Sequence, residues 1–176
     1  MVRRGRQLSK KKRKLLTGTL KNLVVPIKFK DHEFRDVPSV ADLTTLFNND
    51  GPTSLTPTGS VWNVFQQSSY GALSVDSTVA DWVVVSQPEA YYANGDRGLT
   101  TMTHNLLAEA LDLVDSSINF GNFDDDNNNM IDSVTFLHSG YVSYHCVIQL
   151  SSQHLVLLIF YTHTSSHTSY NTCIGG

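Results

Sequence analysis

The densest run of side chains that could do chemistry is acidic and amide-rich, and it covers residues 124–132. Oxygen-bearing residues recur there at alternate positions, and Ca²⁺ prefers roughly six to eight hard oxygen ligands. Counted from the first aspartate, the proposed ligands occupy positions 1, 3, 5, 7 and 9 of the run: Asp124, Asp126, Asn128, Met130 through its backbone carbonyl, and Asp132. The sequence therefore predicts a calcium-binding loop.

This run departs from an EF-hand loop at two positions. Asn129 occupies position 6, where an EF-hand has glycine, and asparagine is the next residue type to tolerate a left-handed backbone. Thr135 occupies position 12, where an EF-hand has a bidentate glutamate. The pattern is closer to the shorter D-x-D-x-[DN]-G-x-x-D loops that stabilise a fold, with Ile131 expected to anchor the loop in the core. The alternative is a polar surface loop whose carboxylates face water, but repulsion between clustered carboxylates favours a bound cation.

No hydrolase motif accompanies this loop. The sequence contains no G-x-S-x-G elbow, no Gly-rich phosphate loop and no H-E-x-x-H zinc-binding helix. His163 and His167 are four residues apart, but Thr164 stands where the general-base glutamate would be, so we expect no zinc site there. Three other histidines have no motif around them and are expected to be structural or surface residues: His32, His104 and His138.

Charge is divided unevenly along the 176 residues, although their formal net charge is only −3. Eight of the 13 Lys and Arg residues lie in the first 14 positions, and residues 142–176 contain no Asp, Glu, Lys or Arg. Residues 15–141 therefore hold all 16 acidic residues and only five basic ones, a net charge of −11. This division predicts a basic disordered leader (1–20), one domain (21–141) and an uncharged atypical tail (142–176).

The basic run Lys10–Lys14 is typical of nucleic-acid binding or nuclear import. No aromatic residues interleave with it, so base stacking is not indicated, and we favour a solvated leader with no specific nucleic-acid partner. The most apolar run, Leu155–Tyr161, has seven residues against about 20 needed to cross a bilayer, so no membrane span is expected. No signal peptide is expected either, because no apolar segment follows the basic start.

The elements that must position the calcium loop alternate between strands and helices. Pro26 interrupts the first strand and cannot donate to a ladder, which predicts an edge strand or a bulge. Ser39, with Asp42 three residues later, predicts a helix N-cap with a capping box. Strands are predicted at 23–29, 73–79, 82–85 and 133–138, helices at 40–47, 60–69 and 103–115, and a loop at 87–98. This alternation predicts an α/β (α+β) fold with a mixed sheet.

Apolar periodicity identifies the helix faces that should turn inward. The predicted inward residues are Val40, Leu43, Leu46 and Phe47 in the first helix, Val61, Trp62, Val64 and Phe65 in the second, and Leu106, Leu107, Ala110, Leu111 and Val114 in the third. Gly71 is expected to serve the C-terminal turn of the second helix.

Six pieces of residues 21–141 together resemble one known family. They are Asn22–Phe29 with Lys30-Asp31 (a "LVVLVDFKD"-type start), Ser69-Tyr70-Gly71 ("SYG"), Trp82 with Tyr91-Tyr92, Leu106–Leu113 ("LLxEALDL"), Phe123–Asp132 ("FDxDxDGxxD") and Thr135–Tyr141 (ending "HSGY"). In this order they resemble the catalytic domain of the immune inhibitor A-like zinc metallopeptidases, peptidase family M-six.

The resemblance implies a zincin-like N-terminal subdomain, a structural Ca²⁺ in the Asp-rich loop, and secretion. It also implies zinc-dependent cleavage of peptide or protein substrates by full-length relatives. The family's H-E-x-x-H helix lies downstream of "HSGY" and is missing here, so no catalytic residue or zinc ligand is assigned. We therefore expect a partial metallopeptidase domain, truncated before the active-site helix and inactive as written, with one sheet face uncovered.

Residues 142–176 depart from the family pattern, and we interpret them as a frameshifted or intron-derived continuation. Two alternatives remain open for the function. One is a non-enzymatic calcium-stapled binding module, and the less favoured one is a nucleic-acid-binding protein led by the basic residues.

Overall fold

A mixed β-sheet organises the part of the chain that the structure describes. The computed structural model describes residues 17–95, 101–140, 148–150 and 153–161, the last two ranges by their backbone alone. The strands are β1 Gly18–Lys28, β2 Leu73–Val79, β3 Val83–Val84, β4 Ser133–His138, β5 Ile148–Leu150 and β6 Gln153–Tyr161. Their order is β2-β1-β4-β6-β5, and β3 pairs with β1 beyond the end of β2. Strands β1 to β4 are parallel, while β6 is antiparallel to both β4 and β5, which confirms the mixed sheet.

The first strand is central, so the prediction of an edge strand at Pro26 is wrong. The backbone N and O of Pro26 point to the same edge of β1 as those of Val24 and Lys28. The carbonyls of Val24 and Lys28 accept hydrogen bonds from Ala80 N (2.9 Å) and Val85 N (3.0 Å). Its ring nitrogen therefore faces the interval between the end of β2 and the start of β3. No ladder donor is needed at that interval, which is how a central strand accommodates proline.

Helices cover both faces of the sheet at β1 and β4, so the prediction of an uncovered sheet face is wrong there. On one face α1 (Val40–Asn48) and α2 (Val61–Ser68) lie over a cluster built on Val24 and Leu137. On the other face α4 (Thr101–Val114) lies over a larger cluster that contains Leu23, Val25 and Ile27. Alternate residues of β1 thus supply both cores, as expected for a strand that is buried on both sides.

Helix α1 begins at the predicted N-cap and buries most of its predicted inward face. Ser39 Oγ accepts a hydrogen bond from Asp42 N (3.1 Å), and an Asp42 oxygen accepts one from Ser39 N (3.2 Å), which completes the capping box. Three of the four predicted inward residues are buried: Leu43, Leu46 and Phe47. The cap and the helix face are both local features, so the sequence predicts them without knowledge of the sheet.

Helix α2 is less buried than predicted. None of its residues is fully buried, and Val64 is 43% exposed, so the inward placement of Val64 is wrong. The helix ends in a Schellman motif, in which Gly71 N donates to Gln66 O (2.7 Å) and Tyr70 N donates to Gln67 O (3.2 Å). Tyr70 and Gly71 both have positive φ, 54° and 77°, so a tyrosine occupies the first left-handed position, where glycine is usual.

Two segments have more regular structure than predicted. The loop at 87–98 contains a short helix, α3 (Glu89–Ala93), whose Tyr92 hydroxyl donates to Glu109 of α4. Residues 142–176, for which no element was predicted, contain β5 and β6, and residues 156–161 of β6 pair with the whole of β4.

Asn48 covers part of the outer edge of β2. Its side chain accepts from Ser77 N (2.9 Å) and donates to Ser77 O (2.7 Å), so it replaces a neighbouring strand at that residue.

We expect Asn48→Ala to lower the free energy of unfolding by about 1–2 kcal/mol. It should also promote self-association, because an open strand edge can pair with another chain. Urea unfolding and sedimentation velocity measure the two effects. Thr44→Ala, on the exposed side of the same helix, is the control, and equal behaviour of the two variants contradicts this role.

Candidate functional site

The predicted calcium loop lies between a 3₁₀ turn (Phe120–Phe123) and β4. Asp132 N donates to Phe123 O (2.7 Å), so the two ends of the loop are held together. Phe123 is buried in the larger core cluster, and Ile131 packs against the same cluster. The predicted role of Ile131 as a core anchor is therefore confirmed.

Side-chain oxygens organise the backbone of the loop. Asp124 Oδ1 accepts from Asn128 N (2.9 Å), and its Oδ2 accepts from Asn129 N (2.8 Å). Asn128 Oδ1 accepts from Met130 N (2.8 Å). Asp124 and Asn128 thus fold the chain into successive tight turns, as short polar side chains commonly do.

Two asparagines supply the left-handed residues that these turns need. Asn127 has φ 54° and Asn129 has φ 64°, so the left-handed backbone expected at position 6 is present. Asparagine tolerates this conformation better than most residues with a side chain. The departure from glycine at position 6 therefore does not prevent the loop from turning.

The remaining loop side chains point in several directions. Asp132 Oδ2 accepts from Asp125 N (2.8 Å), and the Asp125 carboxylate pairs with Lys21 of β1 (2.9 Å). Among the described residues the Asp126 carboxylate has no hydrogen-bond partner, and Met130 is exposed. The structure therefore ties Asp124, Asn128 and Asp132 into the loop framework but leaves Asp126 outside it.

The carboxylates do not form a preassembled metal site. Within the described ranges, no group of three or more His, Cys, Asp or Glu side chains is placed to hold a metal ion. That finding leaves open a calcium ion bound partly by Asn128 and a backbone carbonyl. Each oxygen of Asp124 accepts one N–H and has capacity for a second interaction, so the observed hydrogen bonds are compatible with a cation.

A second polar cluster lies at the carboxyl ends of β1 and β4, and the sequence did not predict it. Nδ1 of His32 lies 3.1 Å from Ser139 Oγ, and His32 Nε2 lies 3.5 Å from a Glu89 oxygen. Ser139 Oγ also accepts from Phe29 N (3.2 Å), and Ser139 O accepts from Arg35 (2.7 Å). The cluster joins the end of β1, the start of α3 and the end of β4.

The geometry of this Ser–His–Glu arrangement indicates a structural role. Ser139 is only 1% exposed, and its oxygen already accepts a backbone N–H. Gly140 lies against Glu89 and Phe29 so closely that a Cβ there would meet them at 2.4 and 2.7 Å. A substrate therefore has no space to reach the hydroxyl, and the network fixes the three segments relative to one another. His32 is structural, as expected, and His104 is exposed.

His138 gives the fold a dependence on pH. Burial lowers the pKa of His138 from 6.5 to about 4, and the neighbouring His32 contributes to the shift. The unfolded chain binds a proton near pH 6.5 that the folded chain does not bind until about pH 4. The stabilisation is therefore complete above pH 6.5 and is lost as the pH falls toward 4, by at most about 3 kcal/mol.

Urea unfolding at several values between pH 4 and pH 7.5 measures this loss. The variant His138→Gln keeps a polar side chain and removes the titration, so the difference between the two proteins should shrink as the pH falls. Parallel curves for the two proteins contradict the assignment to His138.

Comparisons with known proteins found no relative of this chain. No family model matches the sequence, and no curated protein matches it. The function therefore has to be argued from the residues themselves.

Two further predictions concern residues that the structure does not describe. No zinc site was expected at His163 and His167, and no specific nucleic-acid partner was expected for Lys10–Lys14. No helix in the described part of the chain is long and apolar enough to cross a membrane.

Proposed function

We propose that the chain is the N-terminal part of an immune inhibitor A-like metallopeptidase domain, with the loop at 124–132 as a structural calcium site. The observation that carries this proposal is the loop itself. It is turned by Asp124 and Asn128 and held to the core by Ile131. It leads directly into strand β4, which ends at His138 and is followed by Ser139-Gly140.

The other pieces of the resemblance occupy defined positions in the fold, which supports the proposal. "SYG" forms the Schellman turn between α2 and β2, and "LLxEALDL" lies in α4 over the β1 core. Tyr92 connects α3 to α4 through Glu109. We assign the sheet to the zincin-like class as part of the same proposal, on the basis of the parallel strands β1 to β4 with helices on both faces.

Calcium fits the loop by the chemistry of its donors. The proposed ligands are carboxylate, amide and carbonyl oxygens, which suit Ca²⁺ better than softer metals. The described part of the loop contains no histidine or cysteine, so its chemistry does not favour zinc. Bound calcium would relieve the repulsion among Asp124, Asp126 and Asp132, and it would fix the entry to β4.

Zinc-dependent catalysis does not fit the residues present. The sequence has no H-E-x-x-H. Peptide hydrolysis by a zincin needs both a zinc-bound water and a glutamate base. The proposed role of this chain is therefore a non-catalytic fragment of a secreted peptidase, and its longer relatives would act on peptides or proteins.

Two experiments test this proposal. We expect the purified chain to leave casein intact in the presence of Zn²⁺ and Ca²⁺, and digestion that a chelator abolishes would show that it is active. Sequencing the transcript beyond the codon for Tyr141 tests the family assignment, because an in-frame H-E-x-x-H downstream is expected. A transcript that encodes residues 142–176 in frame and in abundance contradicts the interpretation of that segment.

The alternative function, a non-enzymatic calcium-stapled binding module, is supported by the same loop geometry. Calcium would raise the melting temperature under either proposal, so only the transcript separates them. If no zinc-binding helix follows and calcium still stabilises the chain, the binding module is the better account.

A further inference from the structure

A small polar cavity lies on the α4 side of the sheet, beyond the end of that helix. Its floor is formed by Lys21 of β1 and by Asp76 and Thr78 of β2. Lys21 is paired in register with Asp76, so their side chains stand next to each other on one face of the sheet. Since α4 ends at Val114, this part of the face remains open. The cavity has a volume of about 180 Å³, which is room for about six water molecules.

Three polar side chains of this cavity have no partner in the described part of the chain. The Asp76 carboxylate, the Thr78 hydroxyl and the Asn122 amide make no hydrogen bond or ion pair with a described residue. The neighbouring ammonium group of Lys21 is engaged at the edge of the cavity, because its Nζ lies 2.9 Å from Asp125 Oδ1. The three unpartnered groups are therefore available to a ligand.

The lining of the cavity mixes hydrogen-bond donors with acceptors, which restricts the class of ligand. The Lys21 ammonium can only donate and the Asp76 carboxylate can only accept, while Thr78 and Asn122 can do both. A cationic ligand would meet the ammonium, and an anionic ligand would meet the carboxylate. Among the described residues, no group of three or more His, Cys, Asp or Glu side chains is placed to hold a metal ion. The lining thus favours an uncharged molecule whose own groups both donate and accept, as sugar hydroxyls do.

An apolar wall completes the cavity. It is formed by Ile118, which is half-buried, and by the buried Phe123. Ligand-binding cavities commonly combine apolar walls with a few placed polar groups. A pyranose ring carries hydroxyl groups around its edge and C–H groups on its faces, so it matches both parts of this lining.

An open groove continues from the cavity along residues 115–121, and the two share Ser117 and Asn119. Ser117 Oγ donates to Val114 O (3.0 Å). Asn119 Oδ1 accepts from Gly121 N (3.1 Å). The shared rim is thereby fixed without a ligand, and fixed groups bind at a lower entropic cost. The groove leaves room for a second sugar next to the enclosed one.

We propose that this cavity binds one unit of a neutral saccharide through hydrogen bonds to Asp76, Thr78 and Asn122. The carboxylate and the amide can each bond more than one hydroxyl group, which selects for sugars over molecules with a single hydroxyl. Ile118 and Phe123 cover one face of the ring. The site lies outside the proposed calcium ligands and does not depend on the proposed function.

Saturation-transfer NMR with the full chain in chelator tests this proposal without involving calcium. The neutral probes are glucose, galactose and mannose, and the charged probes are glucuronate, glucosamine and glycine. We expect saturable binding of at least one neutral sugar, with a dissociation constant of about 1–10 mM for so small a ligand. The charged probes should bind more weakly. The absence of saturable binding by all the neutral sugars overturns the proposal, and so does tighter binding of any charged probe.

Two substitutions locate the site. Asp76→Ala should weaken sugar binding at least about tenfold, because it removes hydrogen bonds to a charged group. Thr78→Val keeps the shape of the side chain and should weaken binding about fivefold, because only the hydroxyl is lost. Both side chains are exposed and unpartnered in the described structure, so the melting temperature should stay unchanged. Weaker binding by an equally stable protein cannot be explained by misfolding.

Asp81→Ala is the matched control for Asp76→Ala. Asp81 is also exposed and follows the same strand, but it does not line the cavity. Its replacement removes the same charge and should leave sugar binding unchanged. Equal weakening by the two variants shows a general effect of charge and overturns the proposed site.

Discussion

Replacing Asn22 with leucine is expected to lower the free energy of unfolding by about 3–5 kcal/mol. Asn22 is 3% exposed in the middle of the sheet. Its Nδ2 donates to Ser77 Oγ (3.1 Å) on β2, and its Oδ1 accepts from Ser133 Oγ (2.9 Å) and Thr135 Oγ1 (3.0 Å) on β4. Leucine would leave three buried hydroxyl groups without this partner, and their lost hydration is the main cost.

Urea unfolding with circular dichroism measures this change, and two control proteins sharpen it. Asn105→Ala, on the exposed side of α4, should change stability by less than about 0.5 kcal/mol. Adding Ser77→Val, Ser133→Ala and Thr135→Val to Asn22→Leu should recover much of the loss, because a wholly apolar replacement leaves no buried donor unpaired. If the single variant is as stable as the parent, the network does not hold the three strands together.

Replacing Asp124 with alanine is expected to lower the free energy of unfolding by about 2–4 kcal/mol in chelator. Its two oxygens hold the backbone N–H groups of Asn128 and Asn129, and these charge-assisted bonds shape the loop before β4. The variant should also lose any further stabilisation by calcium, since binding to the folded state alone raises stability in proportion to the logarithm of ligand concentration. Thermal unfolding with and without millimolar Ca²⁺ measures both effects.

Asp126→Ala is the matched control for Asp124, because its carboxylate has no hydrogen-bond partner in the described structure. In chelator it should change stability by less than about 0.5 kcal/mol. In calcium it should lose the same stabilisation as Asp124→Ala if both residues bind the ion. A full response to calcium by Asp126→Ala removes this residue from the proposed ligand set.

The features that the sequence predicted correctly depend on neighbouring residues. The bounds of β2 and β4 agree with prediction. In β2 the apolar residues share one parity, and the α1 capping box needs only Ser39 and Asp42. The turn-forming residues of the calcium loop are likewise local, so Asn129 was correctly expected to have a left-handed backbone.

The features that the sequence missed depend on residues far apart in the chain. The position of Pro26 in a central strand requires the interval between β2 and β3, which only the assembled sheet reveals. His32, Glu89 and Ser139 are separated by 57 and 50 residues and share no motif. The pairing of β6 with β4 joins an uncharged segment without usable periodicity to a strand that the sequence predicted. None of these three features has a signal in a single sequence.

Calorimetric titration of the chain with Ca²⁺ tests the central claim, that residues 124–132 form a structural calcium site in a metallopeptidase-like domain. We expect one site with a dissociation constant of about 0.1–1 mM, a range common in extracellular modules. The heat should disappear in Asp124→Ala. No heat at millimolar calcium from the folded parent chain contradicts the claim.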